Sequence, residues 1–456
     1  MFNKVLIANR GEIAVRIIRA CRELGISTVA VFSQPDRSAL HAKIADEAVC
    51  IGPAATKDSY LNAKSILAAC ELTGADAVHP GFGFLSENAA FAALCEKCGV
   101  TFVGPSPDAM ERMGDKSRAK ETMAAAGVPV IPGSAGAVRT LEQARAAATV
   151  TGYPLLIKAA AGGGGRGIRR VNEECELEAQ MTSAAHEARL FFGDDAVYIE
   201  KLLINPRHIE IQILADHYGN CIHLGERDCS LQRRNQKVLE ESPSPSPLMT
   251  PQLRRAMGEA AVRAAQAVGY RNAGTIEFLV DDSGTFYFME MNTRIQVEHP
   301  ITELVTGVDL VKKQLEIAAG EPLSLTQDDV HICGHAIECR INAENPAKGF
   351  RPSPGRIESL HIPGGPGIRI DSAVYQGYEI TPHYDSMIAK LIAYAPTREQ
   401  AVRKMRWALA EFIVDGVDTN IDFQLSLLKH AEVEAGRYDI GFLTRLLDAQ
   451  GAAGNI

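Results

Sequence analysis

Apolar positions in the first hundred residues fall into short runs separated by stretches with helical spacing. VLIAN (5–9) is followed by a periodic segment from about Glu12 to Leu24, then by STVAVFS (27–33), ADAVHPG (75–81) and VTFVGPS (100–106). Strands alternating with helices predict a parallel sheet covered by helices, an α/β arrangement. The turn after the first strand reads NRGEIA and not G-x-G-x-x-G. This unit therefore resembles a nucleotide-binding fold without its phosphate loop.

The pattern changes further along. Asp115 is placed to cap a helix whose periodicity runs to Ala126, with Gly127 and Pro129 as terminators. Helical spacing returns at 140–149, 250–268 and 308–319. YPLLIKAAAGGGGRGIRRV predicts strand, loop and strand around the glycines. From about 205 onward HIEIQILAD, CIHLGE, GTIEFLV and TFYFMEMN alternate as strands. SPSPSP (242–247) fits either a short linker or a turn inside a domain. A mixed region runs to about 447, and a short tail follows.

Length and charge narrow the classes. A chain of 456 residues, 46% apolar and 23% charged, has material for about three domains. A net charge of −9 disfavours nucleic acid as a partner. No apolar run approaches a membrane span, and MFNKVLIANRGE lacks a cleavable leader pattern, so a cytoplasmic location is expected. Ten cysteines in such a chain are expected as free thiols. The close pair Cys95 and Cys98 falls on a helical pattern over 89–98 and lacks a second ligand pair for a metal.

Chemistry shows at three places. Lys158 ends an apolar run just before Gly162 to Gly165, a pattern that suits either a backbone cradle for phosphate or a flexible surface hairpin. In GTIEFLVDDSGTFYFMEMN, Glu290 and Asn292 share one strand face, ~7 Å apart. A four-residue turn at DDSG would pair Glu277 with Phe288, diagonal to Glu290. Oxygen ligands from adjacent strands suit Mg²⁺ or Mn²⁺ beside nucleotide phosphates; a solvated acidic face would not explain the interleaved Phe286 and Phe288. Beyond them TRIQVEHP, if extended, projects Arg294, Gln296 and Glu298 to one side, a cation, an amide and a base. Lys237 in QRRNQK and Arg340 in ECRINAE add candidate anion-binding cations.

NRGEIA, HPGFGFLSEN, MGDK, KAAAGGGGRG, ERDCSLQRRNQK, EMNTRIQVEHP and GHAIECRINAE resemble, in order, the biotin carboxylases of the ATP-grasp superfamily, over about residues 1–447. The resemblance implies an ATP-grasp fold in three parts: an N-terminal Rossmann-like domain (1–114), an ATP-grasp region (115–319) with a mobile glycine-rich lid at about 131–203, and a C-terminal mixed α+β domain (320–447), with a tail at 448–456. Carried over by position, it assigns ATP to Lys116, Lys158, Gly164, Gly165, Glu200, Lys201, Leu202, Leu203, His208, Gln232, Asn235, Glu277 and Glu290. Metal ions, two Mg²⁺ or Mn²⁺, go to Glu277, Glu290 and Asn292. Bicarbonate goes to Lys237, Arg294, Gln296 and Val297, with Glu298 as base, and biotin to Arg340 and Phe82. Asn235 stands where several family members have His, Phe82 where Tyr is frequent, and Ala161 leaves four glycines where some have five.

The implied reaction is ATP-dependent carboxylation of biotin by bicarbonate through carboxyphosphate, as the first half-reaction of acetyl-CoA carboxylase in fatty-acid synthesis. Implied partners are a separate biotin carboxyl carrier protein, carboxyltransferase subunits and a second copy of the chain. Lys404-Met405, the nearest approach to a biotinylation motif, reads as helix, and too few residues follow 447 for a carrier domain of ~80 residues. The competing readings are a carboxylase for another acyl-CoA or 2-oxo acid, a different ATP-grasp carboxylate ligase, and a nucleotide sensor without turnover.

Overall fold

The structure, a computed structural model, describes residues 1–134, 136–159, 168–192 and 194–453. Its N-terminal sheet is built from β1 (Lys4–Ile7), β2 (Ser27–Ser33), β3 (Glu47–Gly52), β4 (Ala77–His79) and β5 (Thr101–Phe102). All neighbours are parallel in the order β3-β2-β1-β4-β5. Helix α1 (Gly11–Glu23) follows β1 and buries Ile13, Ile17, Ile18 and Cys21 in a core shared with Val5 and Ile7. Each such aliphatic side chain contributes ~1.5–3 kcal/mol when withdrawn from water. The seven-residue run at 100–106 keeps only two residues as strand, because Ser106 caps a helix over Pro107–Gly114.

The helix expected from Asp115 runs over Lys116–Ala125, with the Asp115 carboxylate accepting from Arg118 N–H at 3.0 Å. Helices at Leu141–Thr151, Pro251–Ala267 and Leu310–Ala318 match their patterns, as does Ala89–Lys97 for the Cys95 segment. All ten cysteines are free. Strands β6 (Leu155–Ala159), β7 (Ile168–Val171) and β8 (Val197–Lys201) form an antiparallel sheet in the order β7-β6-β8. The glycine run that joins β6 to β7, with Gly164 and Gly165 of the expected lid, lies outside the described residues.

The site is organised by a third, eight-stranded antiparallel sheet. Its strands are β9 (Arg207–Ala215), β10 (Cys221–Arg233), β11 (Gln236–Ser242), β12 (Asn272–Val280), β13 (Phe286–Asn292), β14 (His335–Asn342), Ile368–Ser372 and Met387–Ala395. The order is β13-β12-β9-β10-β11-β14, then 387–395 and 368–372. Alternation sends Ile209, Ile211 and Ile213 toward Met257, Ala261 and Ala264 of the 251–267 helix. On the far strands Leu239, Ile337, Cys339 and Leu391 pack with Val402, Met405 and Leu409 of a helix at Arg398–Glu411. The intervening His208, Glu210, Glu240, Glu338, Arg340 and Lys390 are left for the other face, across which the helix His299–Thr306 lies. SPSPSP is a turn inside this unit: the Ser244 hydroxyl donates to Asp228 Oδ2 at 2.7 Å.

Candidate active site

A row of charged side chains crosses the sheet. The register sets Glu290 opposite Glu277, Glu277 opposite Glu210, and Glu210 opposite Arg227. The expected pairing of Glu277 with Phe288 is corrected. Asp281 N–H donates to Thr285 O at 2.9 Å, which makes the turn one residue longer, and an irregularity at Met289 adds a second shift. One shift would have turned the face over; two restore it and bring Glu277 directly opposite Glu290. Among the described residues the Glu290 carboxylate makes no hydrogen bond or ion pair. Burial, then the neighbouring Glu277, raises its pKa.

Lys237 occupies the middle of these acids. Its Nζ donates to Glu210 Oε2 (2.6 Å), Glu277 Oε1 (3.1 Å) and Glu298 Oε1 (2.5 Å). Glu298 is wholly buried, and its Oε2 accepts from Arg340 at 2.9 Å. Burial opposes its charge, but Lys237, Arg340 and Arg227 outweigh burial and hold the carboxyl well below the ordinary range. Glu277 is also held low against burial, by Lys237 and His208, whose Nε2 lies 2.9 Å from Glu277 Oε2. Asn292 Nδ2 and Gln296 Nε2 both donate to Glu277 Oε1, at 2.8 and 2.9 Å.

The extended run expected over Arg294–Glu298 does not form. The strand ends at Asn292, and Glu298 precedes the first turn of the 299–306 helix, where Pro300 suits a helix start. Arg294 folds back instead, donating to Asn292 Oδ1 (2.9 Å), Gln296 Oε1 (2.7 Å) and Glu87 Oε2 (2.9 Å). Chemistry expected from one straight strand is thus assembled by a turn.

These groups share a cleft of about 1710 Å³. Its walls include Phe82, Lys116, Lys158, Glu200, His208, Gln232, Asn235, Lys237, Glu277, Glu290, Asn292, Arg294, Gln296, Val297 and Arg340. Lys158 and Lys120 share the Glu200 carboxylate, at 2.5 and 3.0 Å. Burial raises the Glu200 pKa, but the two lysines bring it below its ordinary value. Glu298 stands behind Lys237 and Arg340, outside the lining. Lys201, Leu202 and Leu203 are not brought to the cleft among the described residues; the Lys201 and Leu202 N–H groups donate to the carbonyls of Pro132 and Pro154. Gly164 and Gly165 fall outside the described residues.

Comparison with known proteins identifies the family. Residues 1–110 match the family model of the biotin carboxylase N-terminal domain, 115–326 that of the carbamoyl-phosphate synthase L chain ATP-binding domain, and 338–445 that of the biotin carboxylase C-terminal domain. Biotin carboxylase 1 of Bacillus subtilis is 59% identical over 97% of this chain and 98% of its own length. The chain belongs to the biotin carboxylase family. A pyruvate carboxylase subunit of Methanothermobacter thermautotrophicus is 54% identical over 97% of this chain and 90% of its own. The biotin carboxylase domain of a thermophilic 2-oxoglutarate carboxylase, solved with bicarbonate, superposes with a TM-score of 0.93 at 51% identity, covering 98% of each chain. The biotin carboxylase domain dimer of the Hydrogenobacter thermophilus 2-oxoglutarate carboxylase, solved with MgADP, ADP and bicarbonate, gives 0.89 at 53%, again over 98% of each. An ATP-grasp ligase fold and ATP-dependent carboxylation of biotin follow from this membership.

Several contributors to this biotin carboxylase site escaped the sequence reading. Glu210 lies two residues after His208 in HIEIQ, so strand alternation puts both on one face, a signal that was available. Arg227 donates to Glu210 and to Gln212 Oε1 at 2.8 Å from a fully buried position. Glu87, within HPGFGFLSEN, reaches Arg294 from a distant segment, and Lys120 lines the cleft beside Glu200; neither was assigned a role from the sequence.

Proposed function

We propose that Glu298 is the base that takes the proton of bicarbonate, with Lys237, Arg294 and the Val297 N–H holding the anion. The observation that carries this reading is a buried carboxylate clamped between Lys237 and Arg340, directly behind the cleft wall that these two cations form. At rest both oxygens of Glu298 are occupied, and it is a weak acceptor. An arriving anion competes for the same cations, so binding returns basicity to Glu298 as the substrate needs it.

The deprotonated bicarbonate attacks the γ-phosphorus of ATP, ADP leaves, and carboxyphosphate forms. Its breakdown gives CO₂ and phosphate; phosphate removes the ureido proton of biotin, and the enolate, steadied by Arg340 with Phe82 nearby, captures CO₂. Lys116, Lys158, Glu200, His208, Gln232 and Asn235 line the nucleotide side, and the segment Glu200 to Leu203 is read as the adenine hinge, with Lys201, Leu202 and Leu203 set back from the cleft. Glu277, Glu290 and Asn292 fit Mg²⁺ or Mn²⁺: two acids stand opposite one another across strands, and one of them is without a hydrogen bond. Bound there, two ions supply charge neutralisation on the phosphates.

The chain is read as working on biotin borne by a separate carrier, alongside carboxyltransferase subunits, as a homodimer like the related domain dimer. We read it as three domains, 1–114, 115–319 and 320–447. Ten unpaired thiols support a cytoplasmic setting. Acetyl-CoA is the proposed final acceptor; a 2-oxo acid is the second reading, favoured by the pyruvate and 2-oxoglutarate carboxylase relatives. Transfer of label from bicarbonate to free biotin, with and without ATP and Mg²⁺, tests the carboxylation. No label on biotin would refute it. Pairing the labelled carrier with each carboxyltransferase separates the acceptors.

A further inference from the structure

Behind the turn that carries Glu298, two successive peptide groups are drawn away from the cleft. The Gln296 carbonyl accepts from His299 Nδ1 at 2.8 Å, so that nitrogen carries the ring proton. The Val297 carbonyl accepts from Lys390 Nζ, also at 2.8 Å. Both peptides are trans, and in a trans peptide the N–H points opposite to the carbonyl. The N–H groups turned the other way are those of Val297 and Glu298. Neither has an acceptor among the described residues, and Val297 lines the cleft. Two adjacent donors without partners beside a cleft are expensive in its absence and suited to an anion within it.

Lys390 does not itself reach the cleft. It is wholly buried on the strand Met387–Ala395, with Glu12 Oε1 at 3.2 Å and Asp371 Oδ2 at 3.7 Å. Glu12 belongs to α1 of the N-terminal unit, so the ammonium ties the turn to a different part of the chain. His299 is likewise buried, among Lys390, Arg16 and Arg369, and its Nε2 has no hydrogen-bond partner. A neutral ring with one fixed donor is the form that this setting favours.

We propose that Lys390 and His299 are positioning residues for bicarbonate: they hold the Val297 and Gln296 carbonyls from behind so that the Glu298 and Val297 N–H groups face the anion. The proposal rests on the carboxylase reading and adds to it two residues that touch neither substrate nor metal. His299→Leu removes the donor while keeping an apolar side chain in the core. His299→Asn keeps a donor at the place of Nδ1. Lys390→Met combined with Glu12→Gln removes an ion pair as a unit, leaving Asp371 with its two hydrogen bonds from Arg369.

Two measurements test it, with potassium bicarbonate as the probe. In steady-state ATP hydrolysis, His299→Leu and the double variant should raise the bicarbonate KM about tenfold, with the ATP KM changed less than about twofold and His299→Asn near wild type. In residue-resolved amide hydrogen exchange, bicarbonate should slow Val297 and Glu298 in the wild-type chain and fail to do so in His299→Leu. A merely structural role would raise both KM values together and would not be rescued by Asn. An unchanged bicarbonate KM in folded His299→Leu, or Asn as poor as Leu, overturns the proposal. If the wild type shows no bicarbonate-dependent turnover, the carboxylase reading fails by itself. The exchange response then decides the positioning: protection lost in His299→Leu upholds it, and no protection in the wild type ends it.

Discussion

The two halves of the eight-stranded sheet treat buried acids differently. On β13 and β12 Glu290 and Glu277 border an open cleft, and Lys237 enters the row from β11 and covers Glu210 of β9. On β11, β14 and the strand 387–395, Glu240, Glu338 and Lys390 are closed in beneath the 299–306 helix, and only Arg340 reaches out to the cleft. Each half has one acid without a partner. Glu290 faces the cleft, where a cation or a phosphate-bound metal can reach it. Both oxygens of Glu338 are sealed without a hydrogen bond, and burial raises its pKa well above the ordinary value, against the pull of Lys390 and Arg340. Access, and not burial alone, separates an acid open to chemistry from one shut away from it.

Substitutions on either side break or sharpen this contrast. The largest effect is expected for Glu298→Gln: bicarbonate-dependent ATP hydrolysis should fall by about 10²–10⁴-fold with ATP affinity nearly unchanged, measured by coupled assay and calorimetry. Equal loss of binding and turnover would assign Glu298 a structural role. Glu290→Gln should follow, lowering turnover at limiting Mg²⁺ by about 10–100-fold and recovering part of it at high Mg²⁺. A turnover deficit that ignores the metal concentration would remove Glu290 from the metal set.

Third comes Arg398→Met, at the outer margin of the closed half. Arg398 donates to both oxygens of buried Glu241, at 2.7 and 2.9 Å, and His335 Nε2 stands 2.8 Å away. Burial opposes the Glu241 charge, but His335 and Arg398 depress its folded pKa below the unfolded one. Its stabilisation is therefore present above the ordinary carboxylate pKa and lost as pH falls through the folded value. The variant should lose about 3–5 kcal/mol at pH 7 in urea titrations, and the loss should shrink in acid. A deficit constant from pH 7 to pH 3 would contradict that origin.

The smallest change is predicted for Glu338→Gln. Its folded pKa is raised, so the stability tied to its proton is complete below the unfolded pKa and lost as pH rises through the folded value. The amide should match wild type in acid, gain about 1 kcal/mol at pH 8 and leave turnover within about twofold. A large loss of activity would show that the closed half also carries chemistry.

These regions were legible to different degrees. Alternation in TFYFMEMN and GTIEFLV already placed Glu277, Glu290 and Asn292 on one face, because strand period survives an error in register of two residues. The turn at Thr285 and the irregularity at Met289 were not readable, since neither position has a residue type that demands them. Arg294, Gln296 and Glu298 were identified as chemical groups, but their arrangement depends on Glu87 and on a helix start, not on strand period. In the parallel N-terminal sheet β1, β2, β4 and β5 were legible as short apolar runs, whereas the mostly exposed β3 (Glu47–Gly52) was missed. Contacts such as Glu12 with Lys390 join positions hundreds of residues apart and leave no local trace.

Lys237 has one consequence outside catalysis. Clusters of buried carboxylates usually oblige a protein to capture a metal ion before the fold is secure, which makes its abundance hostage to the metal supply. Here a covalently tethered ammonium bonds to three of those carboxylates from the moment the strands pair. Folding is therefore expected not to wait for magnesium, and the ion to be needed only for turnover.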